Sequence, residues 1–213
     1  MTPKRDQYAR KAEGWTDAEY ADARAYLDHR AELIATLGAP LRAGDEVLDL
    51  ACGDGGLGEH LLARALAYTG IDAEPAMVDA ARRRLGDRAT IGVGDLNSFV
   101  PERPVAATTV FRAIYYAHDR ATFFRRVAGY TERKFVFDLN PRQYRVADVR
   151  ADLQAAGFDE LALRPFFSPQ HHSLPKPALR ALRALEQTGP VARAMLALRF
   201  SYLCAAFRGG RKM

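Results

Sequence analysis

Gly53-Asp-Gly-Gly-Leu-Gly58 puts four glycines into six residues, directly after the apolar run Val47-Leu-Asp-Leu-Ala51. Between a strand and a helix, such a loop lets the backbone pass close to a bound nucleotide, and its free N–H groups can hold an anion. By itself the pattern fits a nicotinamide dinucleotide as well as other nucleotides. Asp72 follows Gly53 by 19 residues and ends the next apolar run. A carboxylate there can accept hydrogen bonds from both ribose hydroxyls, or it can cap the helix that Pro75 opens. Asp49 lies inside the first apolar run, where a dinucleotide-binding strand is usually uninterrupted. An acid beside the loop would repel a pyrophosphate but attract an ammonium or a sulfonium. Gly94-Asp95-Leu96 follows the third apolar run, where a carboxylate and a backbone N–H can read an adenine edge.

The elements needed to hold these residues alternate along the chain. Thr16-Asp-Ala-Glu19 reads as a capping box that opens a helix running to Gly38-Ala-Pro40. Strands are expected at 46–51, 67–71, 90–93, 107–111, 134–138, 161–167 and 200–207. Helical spacing lies between them at 57–66, 75–85, 120–130 and 146–156. A Pro-bounded helical insert at 175–199 breaks at Gly189-Pro190. Strand alternating with helix implies an α/β, doubly wound, Rossmann-like sheet with right-handed crossovers. Its ligand belongs at the carboxyl ends of the early strands, where Gly53, Asp72, Asp95, Arg112 and Asp138 all fall. The expected organisation is an N-terminal helical lid (1–40), a cofactor-binding core (41–167), the insert (168–199), and a closing strand with its tail (200–213).

Taken together, Val47-Leu-Asp-Leu-Ala-Cys-Gly-Asp-Gly-Gly-Leu-Gly58, Gly70-Ile-Asp72 and Gly94-Asp95-Leu96 resemble the successive motifs of class I S-adenosylmethionine-dependent methyltransferases. The resemblance covers about residues 40–160 and the strand at 200–207. It implies a seven-stranded sheet with the last strand antiparallel. It also implies that the loop of Gly53 and Gly55 faces the methionine part of S-adenosylmethionine, that Asp72 holds the ribose, and that Met77 packs near the adenine. Asp95 and Leu96 would contact the adenine edge, and Asp49, Ala51, Ala73 and Phe111 complete the cofactor-binding set. Gly58 departs from the commonest spacing and is assigned to helix packing. In many relatives the N-terminal segment folds over the cofactor, which makes Tyr8 and Trp15 lid candidates; the alternative is an extra helix packed at the sheet edge.

Methyl transfer from a sulfonium is an in-line displacement, so alignment and exclusion of water carry most of the effect. The stretch Phe111-Arg-Ala-Ile-Tyr-Tyr-Ala-His118-Asp119 is placed to border the acceptor. Tyr115 or Tyr116 can face the sulfonium by cation–π attraction. His118 can take a proton from an acceptor hydroxyl or amine, or with Asp119 it can cap the next helix. Arg112 can bind an acidic acceptor group or pair with Asp138. Asn140-Pro-Arg-Gln-Tyr144 resembles the Asn-Pro-Pro-Tyr motif of amino-methylating nucleic-acid enzymes. It stands after the fifth strand instead of the fourth and lacks the second proline, so Asn140 and Tyr144 read as residues of a loop beside the acceptor pocket. The catalytic candidates are therefore His118 and Tyr115, and the substrate-binding candidates are Arg112, Tyr116, Asn140 and Tyr144. His29 is expected to have no catalytic part.

With 213 residues, 48% hydrophobic and 27% charged, the chain has a globular composition. No apolar run is long enough to span a bilayer, and the first residues lack a secretory apolar stretch, so a cytoplasmic location is expected. Two cysteines exclude a disulfide scaffold and a CxxC zinc site. Adjacent His171 and His172 have no carboxylate partner in sequence, and Asp138 with Asn140 is only part of a magnesium cluster, so no metal is expected. The net charge of +5 comes from scattered arginines without interleaved aromatics, which argues against nucleic-acid binding. The insert reads in three ways: a hydrophobic cap over a lipophilic substrate, a dimer surface, or a weak basic contact with a membrane surface. The expected activity is methyl transfer to oxygen or nitrogen of a small, lipophilic or aromatic acceptor by a monomer or homodimer. The alternatives are a nicotinamide-dependent oxidoreductase using the same loop and a catalytically silent cofactor-binding subunit.

Overall fold

The structure is a computed structural model and describes residues 12, 14–196 and 200–209. Its sheet forms because apolar, β-branched runs recur with helices between them. β1 (Glu46–Leu50), β2 (Ala67–Asp72), β3 (Thr90–Val93), β4 (Val105–Val110), β5 (Thr131–Leu139), β6 (Glu160–Phe166) and β7 (Ser201–Phe207) make one seven-stranded sheet in the order β3-β2-β1-β4-β5-β7-β6. The strands from β1 to β5 pair in parallel, while β7 runs antiparallel to both β5 and β6. All six residues of β4 are buried, as a parallel strand covered on both faces requires.

The helices are α1 (Trp15–Glu19), α2 (Ala23–Thr36), α3 (Gly56–Leu62), α4 (Pro75–Leu85), α5 (Arg120–Tyr130), α6 (Val146–Ala156), α7 (Lys176–Leu185) and α8 (Pro190–Met195). One face of the sheet packs Leu27, Ile34, Leu61, Val78 and Leu85 from α2, α3 and α4. The other packs Phe123, Phe124 and Leu153 from α5 and α6 against Phe135 and Phe137 of β5. The Phe135 and Phe137 rings stack at 4.8 Å and form a rigid centre for that layer.

The single helix expected from Thr16 to Leu37 is two. Tyr20 is extended and ends α1, and the Asp22 side chain caps α2 by accepting from the Ala25 N–H at 3.0 Å. Thr16 does not act as a cap. Its backbone N–H donates to Asp54 Oδ2 at 3.0 Å and its hydroxyl donates to Asp54 Oδ1, which pins α1 over the glycine loop. Asp54 is itself buried and also pairs with Arg84 at 2.9 Å.

The insert is clamped to α2. Buried Glu186 meets His29 Nε2 at 2.7 Å through one oxygen and accepts from the Phe167 N–H at 2.7 Å through the other. The His29 ring also stacks on Phe166 at 5.2 Å, so its role here is structural. No helix among the described residues is long and apolar enough to cross a membrane.

Strand order reverses between β1 and β4. The loops that follow these two strands therefore diverge and open a crevice at the carboxyl edge of the sheet.

Candidate functional site

The turn after β1 is strained and held from below. Ala51 takes a left-handed φ of 71°, and the Ala51 and Cys52 N–H groups both donate to the Ile71 carbonyl at 2.7 and 3.0 Å. Gly53 has φ 57°, and a methyl group added to it would meet nothing closer than Trp15 Cδ1 at 3.9 Å. Its Cα side is thus open to the crevice, where only a side-chain-free residue leaves the backbone bare to a ligand. The Asp72 carboxylate ties this turn to β2, accepting from the Gly53 N–H and the Glu74 N–H, each at 2.9 Å. Burial raises the Asp72 carboxyl above its ordinary value, against the lowering effect of those two bonds.

Asp49 sits one layer deeper. It accepts from the Tyr68 hydroxyl and the Thr109 hydroxyl, each at 2.8 Å. Burial pushes its carboxyl up to about 6, opposed by those two hydrogen bonds and by the charge of Arg30. It is thus an acid whose charge switches near neutrality at the wall of the crevice.

The crevice holds a cavity of about 1060 Å³. Asp49, Ala51, Gly53, Asp72, Ala73, Met77, Asp95, Leu96 and Phe111 line it, as do Arg112, Tyr115 and Tyr116. Gly55 has φ 78°, and an added methyl would press on Ala81 at 3.1 Å and Leu85 at 3.0 Å, so its Cα side backs onto α4, while Gly56 lines the cavity. Gly58 packs against Tyr68, where an added methyl would come within 2.7 Å of Cε1. Tyr8 lies outside the described residues; Trp15 lines the cavity.

A second cavity of about 250 Å³ adjoins the first, and Arg30, Phe111, Arg112 and Tyr115 line both. Its remaining walls include Asp138, Asn140, Gln143, Tyr144, Gln170 and Tyr202. Arg112 takes a left-handed φ of 54°, which turns its backbone N–H onto Asp138 Oδ1 at 2.9 Å. Of the two readings of Arg112, a side-chain pair with Asp138 is not formed; its guanidinium donates to Glu19 Oε1 at 2.7 Å. Gln170 Nε2 donates to the same oxygen at 2.7 Å, so α1 bridges the two cavities.

His118 is exposed and lines neither cavity; its N–H donates to Asn97 Oδ1 at 2.9 Å. The structure does not bring it to the site. Asp119 caps α5 by accepting from the Thr122 N–H at 2.7 Å. Tyr115 and Tyr116 pack ring to ring at 4.4 Å and remain 50% and 40% exposed at the mouth. Among the described residues the helices of the insert line neither cavity, and from residues 168–196 Gln170, in the loop before them, reaches the smaller one. Among the described residues no group of three or more His, Cys, Asp and Glu side chains is placed to hold a metal ion.

Sequence reasoning passed over Arg30 and Asp54. Asp54 falls on a position that the glycine pattern leaves unspecified. Arg30 lies mid-helix among other charged residues, where nothing in the sequence marks it as buried.

The residues present fit an adenosyl cofactor with a cationic end. The cavity lies at the upper end of the usual range for ligand sites, its turn presents a bare glycine, and the carboxylates Asp49, Asp72 and Asp95 line it on the side of that turn. Residues 47–134 match the family model described as a methyltransferase domain. The chain is 30% identical over 115 residues to an uncharacterized methyltransferase of Geobacillus sp. (strain WCH70), a match over 54% of this chain and 51% of the relative. It spans about half the length of the curated relatives it matches. Among solved structures it is similar to a chain of the complex between the Haloferax volcanii Trm112 methyltransferase activator and a methyltransferase, with TM-score 0.66, 17% identity, and coverage of 95% of this chain and 98% of that one. It is also similar to the magnesium protoporphyrin IX methyltransferase of Synechocystis PCC 6803 solved with bound S-adenosylmethionine, with TM-score 0.61, 17% identity, and coverage of 89% and 83%. At these identities the structural likeness is one of fold. The family match begins on β1, crosses the strand-order reversal and runs into β5, so the part of the chain that resembles a methyltransferase domain is the part that builds the crevice.

Proposed function

We propose that this chain transfers a methyl group from S-adenosylmethionine to an oxygen or nitrogen of a small polar acceptor. The observation that carries the reading is the pair of adjoining cavities with a common wall of Arg30, Phe111, Arg112 and Tyr115. The larger would take the cofactor and the smaller the acceptor. When bound, the cofactor supplies a methyl group already activated by its positively charged sulfur.

The chain then contributes position, dryness and charge. Asp72 holds the ribose and keeps the Gly53 turn closed on its own strand. Met77 and Leu96, both buried, give the adenine an apolar seat, with Asp95 at its edge. Asp49, once ionised, favours a cation at the loop. Trp15, held by the Thr16–Asp54 bonds, and Tyr115 limit water at the mouth. Asn140, Gln143 and Tyr144 orient the acceptor by hydrogen bonds. Asp138 lines the acceptor cavity and is the carboxylate available to take a proton there, whereas His118 does not line it.

The smaller cavity mixes Arg30, Asp138, Asn140 and Gln143 with aromatic walls, and with its small volume this supports a molecule of about one ring bearing polar groups over a large lipid or a nucleic acid. The buried acid beside the glycine loop disfavours a pyrophosphate and hence the nicotinamide reading. Two measurements test the proposal. S-adenosylhomocysteine should raise the melting temperature, whereas NADH should leave it unchanged. Incubation with methyl-labelled S-adenosylmethionine and a cell extract should place label in a small-molecule fraction. Label confined to RNA, DNA or protein would overturn the acceptor class, and stabilisation by NADH alone would overturn the cofactor.

A further inference from the structure

Arg30 stands on α2 at the boundary of the two cavities and is 5% exposed. Three aromatic rings surround its guanidinium: Phe111 at 4.3 Å, Tyr26 at 4.8 Å and Phe166 at 5.6 Å from Cζ to ring centroid. Contacts of this kind occupy the faces of the planar ion and leave its hydrogen bonds to run from its edges. Nη2 donates to the Tyr26 hydroxyl at 2.8 Å, and Nε is buried with no partner.

The Tyr26 hydroxyl is no counterion, because burial holds it up at about 12. Among the described residues no carboxylate forms an ion pair with Arg30. Arg112, the other guanidinium of the common wall, differs in this respect, since Glu19 meets its charge directly. Asp138 attracts Arg30 from across the smaller cavity, and one of its oxygens is already taken by the Arg112 N–H. A buried cation is normally paired. This one lines two open cavities with its Nε unpartnered and no carboxylate paired to it among the described residues.

We propose that Arg30 is the seat for a carboxylate carried by the methyl acceptor, so that the substrate class is a small carboxylic acid. The inference rests on the methyltransferase reading of the larger cavity. Two ligands could bring a carboxylate to this boundary, the acceptor and the amino-acid end of the cofactor. The acceptor is favoured because the Tyr26 and Phe166 walls around Arg30 belong to the smaller cavity alone.

The test is thermal unfolding with matched probe pairs: acetate and acetamide, benzoate and benzamide, 4-hydroxybenzoate and 4-hydroxybenzamide. Each is added to wild-type protein already saturated with S-adenosylhomocysteine. At least one carboxylate should raise the melting temperature by about 3–5 °C at ten times its Kd, while its amide leaves it unchanged. Arg30→Gln should abolish that rise, while S-adenosylhomocysteine still stabilises the variant. A carboxylate shift that appears without S-adenosylhomocysteine and vanishes at saturation would assign the seat to the cofactor and overturn the proposal. Equal shifts within every pair, or no shift in any, would overturn it on wild-type protein alone, whatever the stability of the variant. Failure of S-adenosylhomocysteine itself to stabilise the protein is a distinct result, which would overturn the methyltransferase reading and the seat with it.

Discussion

Asp72 and Asp49 divide the electrostatic work of the cofactor cavity. Asp72 fixes the turn through two backbone N–H groups, so removing it loosens the loop as well as deleting the ribose partner proposed above. Asp72→Ala is expected to weaken S-adenosylhomocysteine binding by 10-fold or more in calorimetric titration, the range for a lost charge-assisted bond. Asp49 offers a sharper handle. Its carboxyl is held up at about 6, so it is largely neutral at pH 5 and largely ionised at pH 7. An ionised Asp49 favours a sulfonium over an uncharged thioether. The ratio of S-adenosylmethionine to S-adenosylhomocysteine affinity should therefore rise between pH 5 and 7, and Asp49→Asn should flatten it. A ratio independent of pH in the wild type would remove Asp49 from the charge-reading role. Both acids were legible in the sequence because each ends or interrupts an apolar run. Arg30 was not, since a lone arginine on a helix with charges around the turn looks the same whether it faces water or rings.

At the scale of elements, two fastenings give measurable consequences. Glu186 joins the insert to α2 and to the chain after β6 through His29 and the Phe167 N–H, all buried. Glu186→Ala leaves a buried ring nitrogen and a backbone donor unpaired, and should cost about 3 kcal/mol in urea unfolding, with early proteolysis within 168–196. Lys134 lies at zero exposure and donates from Nζ to the Ala35 and Leu37 carbonyls, closing the carboxyl end of α2 at 3.3 and 2.9 Å. Burial brings its ammonium down to about 7 from 10.5. The unfolded chain then binds that proton more tightly than the folded one, so this group makes stability rise with pH above about 7, by on the order of 3 kcal/mol toward pH 10. Lys134→Met should lack that rise. The sequence announced strands and helices well because alternation and Gly or Pro stops are local signals. It misread the α1–α2 break because Thr16-Asp-Ala-Glu19 has the form of a capping box, while the hydroxyl that would have capped is drawn away by Asp54, a residue 38 positions distant.

The whole molecule explains why the site is where it is. Reversal of strand order between β1 and β4 parts two loops, each with a left-handed non-glycine residue, Ala51 and Arg112, at its start. One loop carries the glycine turn, and the other carries the wall common to both cavities. This much followed from the alternation of elements and from the motif run, and nearly every cofactor residue so named lines the larger cavity. The smaller cavity was less legible, because it is assembled from α2, β5, β6, β7, the loops after β4 and β5 and the loop before the insert, which the antiparallel closure of the sheet helps to bring together. That is why His118, conspicuous in sequence, falls outside it, while Tyr26, Gln170 and Tyr202 fall within. The most direct test of the account is a crystal structure grown with S-adenosylhomocysteine. The account predicts the nucleoside in the larger cavity with its ribose on Asp72 and its sulfur toward the wall of Phe111 and Tyr115. A cavity left empty at saturating ligand, or a nucleoside bound with Asp72 turned away from it, would contradict the account.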